Sequence, residues 1–228
     1  MHETALPLTS SSPTPARDRD ERSTRRNWRD QLPVLEGRRV SLRELDASDA
    51  ATLLPLLAAP EVGRFLSPPP QSLERFTGFI EATLSERRAG RYAGFAIVPH
   101  ETGRPVGLVQ IRQLDPSFGT AEWGVALGAE WWGRGLFVDA GQLLLDFAFS
   151  ELGTFRVEAR VASRNARGNR AVEKLGAVAE GLLRGSLVVA DGSRHDQVLW
   201  SWLREDWRRA RAAETEASTC RVASSCQR

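Results

Sequence analysis

The stretch AEWGVALGAEWWGRGLFVDAGQLLLDFAFSEL (121–152) changes its hydrophobic period midway. Residues 121–127 alternate as a half-buried strand does, and from about 136 onward the apolar residues return at helical spacing. A period of two cannot run into a period of 3.6 without a joint. The chain must therefore pass from sheet to helix within a few residues, through Glu130-Trp-Trp-Gly-Arg-Gly-Leu-Phe137. Gly133 and Gly135 flank Arg134 just ahead of the first helical turn. The opening amides of a helix have no intrahelical acceptor, and its dipole favours an anion there. Glycines let further amides approach such a ligand without side chains in the way. The joint is thus a candidate diphosphate cradle. A tight strand-to-helix turn, with the tryptophans serving as core, is the other reading of the same residues.

The surrounding elements set the fold class. VSLREL (40–45) alternates like a strand, and Asp46 or Ser48 is placed to cap a helix through DAATLLPLLAA, with Pro55 an awkward interior residue. SPPP (67–70) is a rigid breaker. It precedes a helix over about 72–88 that carries Phe76, Phe79, Ile80, Thr83 and Leu84 on one side. YAGFAIV (92–98), VGLVQIR (106–112) and AEWGVAL (121–127) read as three antiparallel strands with turn-rich joints. After the helix at 136–151 come a strand at 156–162, a short helix at 167–175 stopped by Gly176, and strands at 177–189 and 196–203 joined through ADGSR. This order predicts an α/β (α+β) domain with a mixed, mostly antiparallel sheet and helices on both faces.

Three regions follow. Residues 1–32, rich in Ser, Thr, Pro and mixed charge, read as a disordered N-terminal segment. Residues 33–207 form the folded domain, and 208–228 a C-terminal tail that begins as a continuation of the last element. The net charge of +2 gives no electrostatic case for nucleic acid or a membrane surface as partner. No apolar run approaches the ~20 residues of a membrane helix, and the N-terminus lacks a secretory pattern, so the expected location is cytoplasmic. Cys220 and Cys226 both lie in the tail, and His2, His100 and His195 are far apart in sequence, so no metal site is expected. Lys174 is the one lysine among 31 basic residues, a bias that fits a GC-rich bacterial coding sequence.

The blocks AEWGVALGAEWWGRG, RVEARVASRNARGNRAVEKLGA and DGSRHDQVLWSWLREDW occur in that order, after LEGRRVSLREL and EVGRFLS. Together they resemble the GNAT superfamily of acetyl-CoA-dependent N-acetyltransferases, and more narrowly its ribosomal-protein-alanine acetyltransferase (RimJ/RimL-like) branch. The resemblance spans roughly 34–207. It implies a central sheet splayed to admit acetyl-CoA, with Trp132, Gly133, Arg134, Gly135, Leu136 and Phe137 as the diphosphate loop. Phe137 replaces the family's small terminal residue. Asn165 matches the residue that bonds the pantetheine arm, and as an N-cap it has a compatible structural role. Gly168 stands where the family carries a serine. Asn169, Arg167, Arg170 and Lys174 are the polar residues able to reach the cofactor thiol or phosphates, the cations having a solvated helix face as their alternative.

Transfer from a thioester to an amine needs a neutral amine and a place for the developing oxyanion. The resemblance implies direct attack in a ternary complex, with Glu122 as general base and backbone N–H of Val125 or Ala126, beside Leu127, as oxyanion donors. Glu122 shares a strand face with Gly124 and Ala126, which leaves room beside it. Tyr92, the chain's only tyrosine, reads as core. Phe65, Leu66 and the proline run border the expected amine pocket. That apolar lining favours a protein or peptide N-terminal α-amine, or a small, weakly charged amine. A non-catalytic acyl-CoA sensor is the rival reading, and a monomer and a homodimer are equally compatible with the chain.

Overall fold

Strand Tyr92–Pro99 is buried along nearly all its length, which requires cover on both faces of the sheet. The computed structural model, which describes residues 27–67 and 70–213, supplies that cover. The elements are β1 (Leu35–Glu36), β2 (Val40–Glu44), α1 (Asp49–Leu57), α2 (Pro60–Gly63), α3 (Leu73–Arg88), β3 (Tyr92–Pro99), β4 (Gly107–Gln113) and β5 (Thr120–Leu127). There follow α4 (Leu136–Ser150), β6 (Arg156–Ala162), α5 (Ala166–Lys174), β7 (Val178–Val188) and β8 (Arg194–Leu203). A last helix, α6, covers 204–213. The eight strands lie in the order β1-β2-β3-β4-β5-β6-β8-β7. Every neighbouring pair is antiparallel except β5 and β6, which are parallel. The mixed, mostly antiparallel sheet with helices on both faces is as the alternation implied.

Two apolar clusters sandwich the sheet. One joins α4 and α5 to Phe95, Ile111, Trp123, Trp200 and Trp202. The other joins α1–α3 to Ala96, Val98 and Leu108. α3 presents Phe76, Ile80 and Thr83 inward as its spacing indicated, and Ser72 caps it by accepting from the Arg75 amide at 3.3 Å. Of the two cap candidates before α1, Ser48 makes no side-chain cap bond, whereas the Asp46 carboxylate accepts from the Ser48 amide at 2.8 Å. The Asp49 carboxylate reaches back to the Asp46 amide (2.9 Å), the reciprocal bond of a capping box, and grips Arg43 through both its oxygens (2.7 Å each). Pro55 lies inside α1 without ending it.

The N-terminal boundary also moves. Residues 27–32, expected to lie outside the folded unit, pack into it. Trp28 meets Phe118 edge-on at 5.8 Å, Leu32 is buried, and the Arg29 carbonyl accepts from Arg87. Apolar side chains at 28 and 32 recover burial that the polar composition around them concealed. The readings made for 1–26, for Pro68 and Pro69 and for 214–228, both cysteines included, lie outside the described residues.

Candidate active site

β5 and β6 pair at only three positions, Thr120↔Arg156, Ala121↔Val157 and Glu122↔Glu158. Beyond that fork both strands run on, β5 held by β4 as far as Leu127 and β6 by β8 as far as Ala162. The edges of β5 and β6 that face each other therefore leave their ladder and bound a cleft of about 720 Å³. Gly124, Val125, Ala126 and Leu127 form one wall, Arg160–Ala162 another, and the loop at 131–138 with the start of α5 closes one end. Open strand edges inside a protein carry unsatisfied backbone amides and carbonyls, which suits a ligand rich in amide groups. Glu61, Val62, Phe65 and Leu66 also line the cleft, so the expected amine-pocket residues Phe65 and Leu66 reach it.

At the closed end, Gly133 and Gly135 adopt φ of 76° and 80°, a left-handed backbone that would cost a β-carbon about 1–2 kcal/mol. Gly135 is the N-cap of α4 and supplies no side-chain acceptor, so the opening amides of that helix point free of the chain. A β-carbon on Gly133 would meet nothing within 4 Å, which leaves open space against this loop. The tryptophans in front hold the loop. Trp132 donates its indole N–H to the Leu127 carbonyl at 2.9 Å, and the Arg167 guanidinium lies 3.3 Å from its ring centroid. Trp131 carries Arg134 at 4.7 Å, and Arg134 also pairs with Glu101 at 3.3 Å. Leu136 is buried, and Phe137 packs edge-on to Trp123 at 5.7 Å. That contact accounts for a large residue where the family has a small one, since the ring serves the core.

Asp139, one turn into α4, fixes the cradle to the rest of the sheet. Its buried carboxylate accepts from the amides of Arg38 (3.2 Å), Arg39 (2.7 Å) and Val40 (3.0 Å). Gly37 permits this approach, because a β-carbon there would lie 2.6 Å from a carboxylate oxygen.

α5 closes the cleft from the side. Asn165 is its N-cap, accepting from the Gly168 amide at 2.9 Å. A β-carbon at 168 would come within 2.6 Å of the Asn165 side-chain nitrogen and 3.0 Å of Val161, which explains why glycine stands here. Asn169, expected to reach the cofactor, is turned away. Its amide donates to the carbonyls of Ala162 (3.0 Å) and Asn165 (2.9 Å), and its oxygen accepts from Trp200 at 2.9 Å. These three bonds employ both ends of its side chain in fastening α5 to β6 and β8. Arg167, Arg170 and Lys174 do line the cleft, and desolvation lowers the affinity of Arg167 for its proton.

Glu122 sits at the crotch of the fork, on the last paired register. Its carboxylate is not among the cleft-lining groups. It is bonded by Arg112 from β4 and lies 3.6 Å from Arg160 of β6. The ion pairs continue along this sheet face. Arg156 meets Glu158 at 2.9 Å and also binds Glu180, which in addition accepts from Ser201 at 2.6 Å. Arg156 and the Ser201 hydroxyl hold the Glu180 carboxyl down at about 2. Tyr92 donates to Gln110, and burial pushes its phenol well above the usual tyrosine range, which leaves it un-ionised.

A mixed sheet forked at one parallel pair, with a glycine-shaped helix start at the end of the fork, makes a concave ligand site with free amides suited to an anion. Residues 39–178 match the acetyltransferase (GNAT) domain family, and the chain belongs to it. It is 28% identical over 177 residues to the uncharacterized N-acetyltransferase p20 of Bacillus licheniformis, covering 77% of this chain and 99% of that protein. The RimJ structure of Mycobacterium smegmatis, a complex with CoA-disulfide, superposes with a TM-score of 0.70 at 23% identity, covering 76% of this chain and 88% of that one. The ribosomal-protein-S5-alanine acetyltransferase of Vibrio fischeri does so with a TM-score of 0.69 at 20% identity, covering 77% and 98%. At those identities the two structures speak for the fold. The family and its named relatives make this an acyltransferase of the kind that uses acetyl-CoA.

Proposed function

We propose that this chain transfers the acetyl group of acetyl-CoA to the α-amine of a protein or peptide N-terminus, by direct attack in a ternary complex. The observation that carries the reading is the fork between β5 and β6, opening beside the uncapped start of α4. In this reading the diphosphate of acetyl-CoA lies on the amides of 133–137, with Arg170 and Lys174 offering charge from α5. The pantetheine arm follows the open edge of β5 past Asn165. The thioester carbonyl then meets backbone N–H from Val125 or Ala126, beside Leu127, and these stabilise the oxyanion as it develops. The amine nitrogen forms the new C–N bond, the C–S bond breaks, and the proton leaving the amine ends in solvent or on the departing thiolate.

An α-amine has a pKa near 7.8, so about one-seventh is neutral at pH 7, whereas a lysine amine is neutral a few times in ten thousand. Glu122, bonded by Arg112 and lying beside Arg160 at the crotch of the fork, is the base in this reading, and an α-amine asks little of one. It acts through an intervening water, its carboxylate being set back from the cleft lining. A single experiment tests the reading: the protein is incubated with acetyl-CoA and a panel of short peptides and small amines, thiol release is followed, and products are located by mass spectrometry. Acetylation at peptide N-termini is expected. Binding of CoA without turnover on any amine would make the chain a sensor, and turnover on small amines alone would move the acceptor class.

A further inference from the structure

Charge is unevenly placed around the cleft. Arg160, Arg167, Arg170 and Lys174 bring cations from β6 and α5, while the one carboxylate in the lining, among the described residues, is Glu61 on α2. Glu61 is exposed at the start of that helix, just after Pro60, and makes no ion pair among the described residues. Arg64, one turn on, is drawn instead over the Phe65 ring at 5.3 Å. Phe65 packs against Ala162, Leu187 and Val189, so the end of α2 spans to the tip of β6 and the β7–β8 hairpin. Val62 is buried beneath α1 and α3. The carboxylate thus stands at the rim of an apolar opening, apart from the cations that suit a polyanionic thioester.

Resting on the acetyl-transfer reading above, we infer that Glu61 is the specificity-determining group for the acceptor, engaging it in its ammonium form as it enters. The step is electrostatic capture, with no bond made or broken; the ammonium gives up its proton to solvent before attack on the thioester. One carboxylate among apolar neighbours matches an amine carrying a single charge beside an apolar or small residue, as a peptide N-terminus does. A polycation would leave its further charges against Phe65, Leu66 and Arg160 without partners.

The test compares steady-state kinetics of the wild type with Glu61→Gln and Glu61→Lys, using an N-terminally free peptide and a linear polyamine as alternative acceptors. An exposed ion pair of this kind predicts a rise in acceptor KM of about two- to fivefold for Glu61→Gln, with a larger rise for Glu61→Lys. The kcat and the acetyl-CoA Kd from calorimetry should be unchanged. Acceptor KM in the wild type should rise with salt, and that slope should flatten in Glu61→Gln. The peptide should be preferred to the polyamine. Wild-type turnover combined with an unchanged KM and salt slope in both variants overturns this inference alone, as does a loss confined to kcat. A wild type that acetylates no amine overturns the transfer reading and takes this inference with it.

Discussion

Asp139 offers the sharpest test of how the cradle is held. Its carboxylate accepts from three backbone amides, those of Arg38, Arg39 and Val40, at 2.7–3.2 Å, and it is 7% exposed. Replacing it with alanine leaves three donors without acceptors, each worth about 1–3 kcal/mol when buried. Arg38 and Arg39 lie at the surface, where water can reach their amides, so the low end of that range applies to two of the three. The loss should come to roughly 3–4 kcal/mol. For a folded unit of this size that lowers Tm by about 6–16 °C. Asp139→Asn should fall between, because an amide presents one oxygen to a site built for two and turns an N–H toward the remaining donors. Scanning calorimetry reads the stability, and calorimetric titration with CoA reads the cradle. Because the carboxylate ties the first turn of α4 to the β1–β2 turn, CoA affinity should fall along with Tm. Should Asp139→Ala melt within about 2 °C of the wild type, the three bonds contribute little, and the account of the cradle's rigidity is wrong.

Three further outcomes follow from particular contacts. Glu122→Gln should lower kcat well beyond any change in acetyl-CoA Kd, and an unchanged kcat on the true acceptor would remove Glu122 from the chemistry. Gly168→Ser, which restores the family's residue, should displace the Asn165 side chain and cost roughly 1 kcal/mol through the lost cap; a crystal structure of the variant with Asn165 unmoved would refute that. The Glu180 carboxyl, held from 4.5 down to about 2 by Arg156 and then by Ser201, is depressed in the folded state. Its contribution is therefore fully present above about pH 4.5 and is lost as pH falls toward 2. The stability gap between wild type and Glu180→Gln should close across that window, and a gap constant from neutral pH into acid would contradict the assignment.

The sequence was legible where the signal is local. The change of period at 121–152 gave β5 and α4 to within a residue or two, since strand and helix spacing depend only on near neighbours. Gly133 and Gly135 were readable because a left-handed backbone leaves few other residues to choose from. Asn165 was readable as a cap because its partner is three residues away. What stayed hidden depends on distant segments. Asp139 looks like any acidic residue in a first helical turn, and its partners lie about a hundred residues back in the chain. Asn169 was assigned to the cofactor on polarity alone; only the closure of β8 over α5 reveals that Trp200 claims its oxygen. Glu61 gave no signal at all, because a carboxylate near the end of an apolar helical run is unremarkable until α2 is seen to border the cleft.

Glu122 shows how the two levels meet. Strand parity correctly put it on the face with Gly124 and Ala126, but parity says nothing of the neighbouring strands. Arg112 and Arg160 arrive from β4 and β6 and change what the carboxylate can do. A free glutamate beside glycine and alanine would be a base with room around it. A glutamate bonded from both neighbouring strands is instead fixed in place at the crotch of the fork, so what it can reach is set by β4 and β6 as much as by its own strand. Strand parity supplies the face, and the two partners supply the position along it.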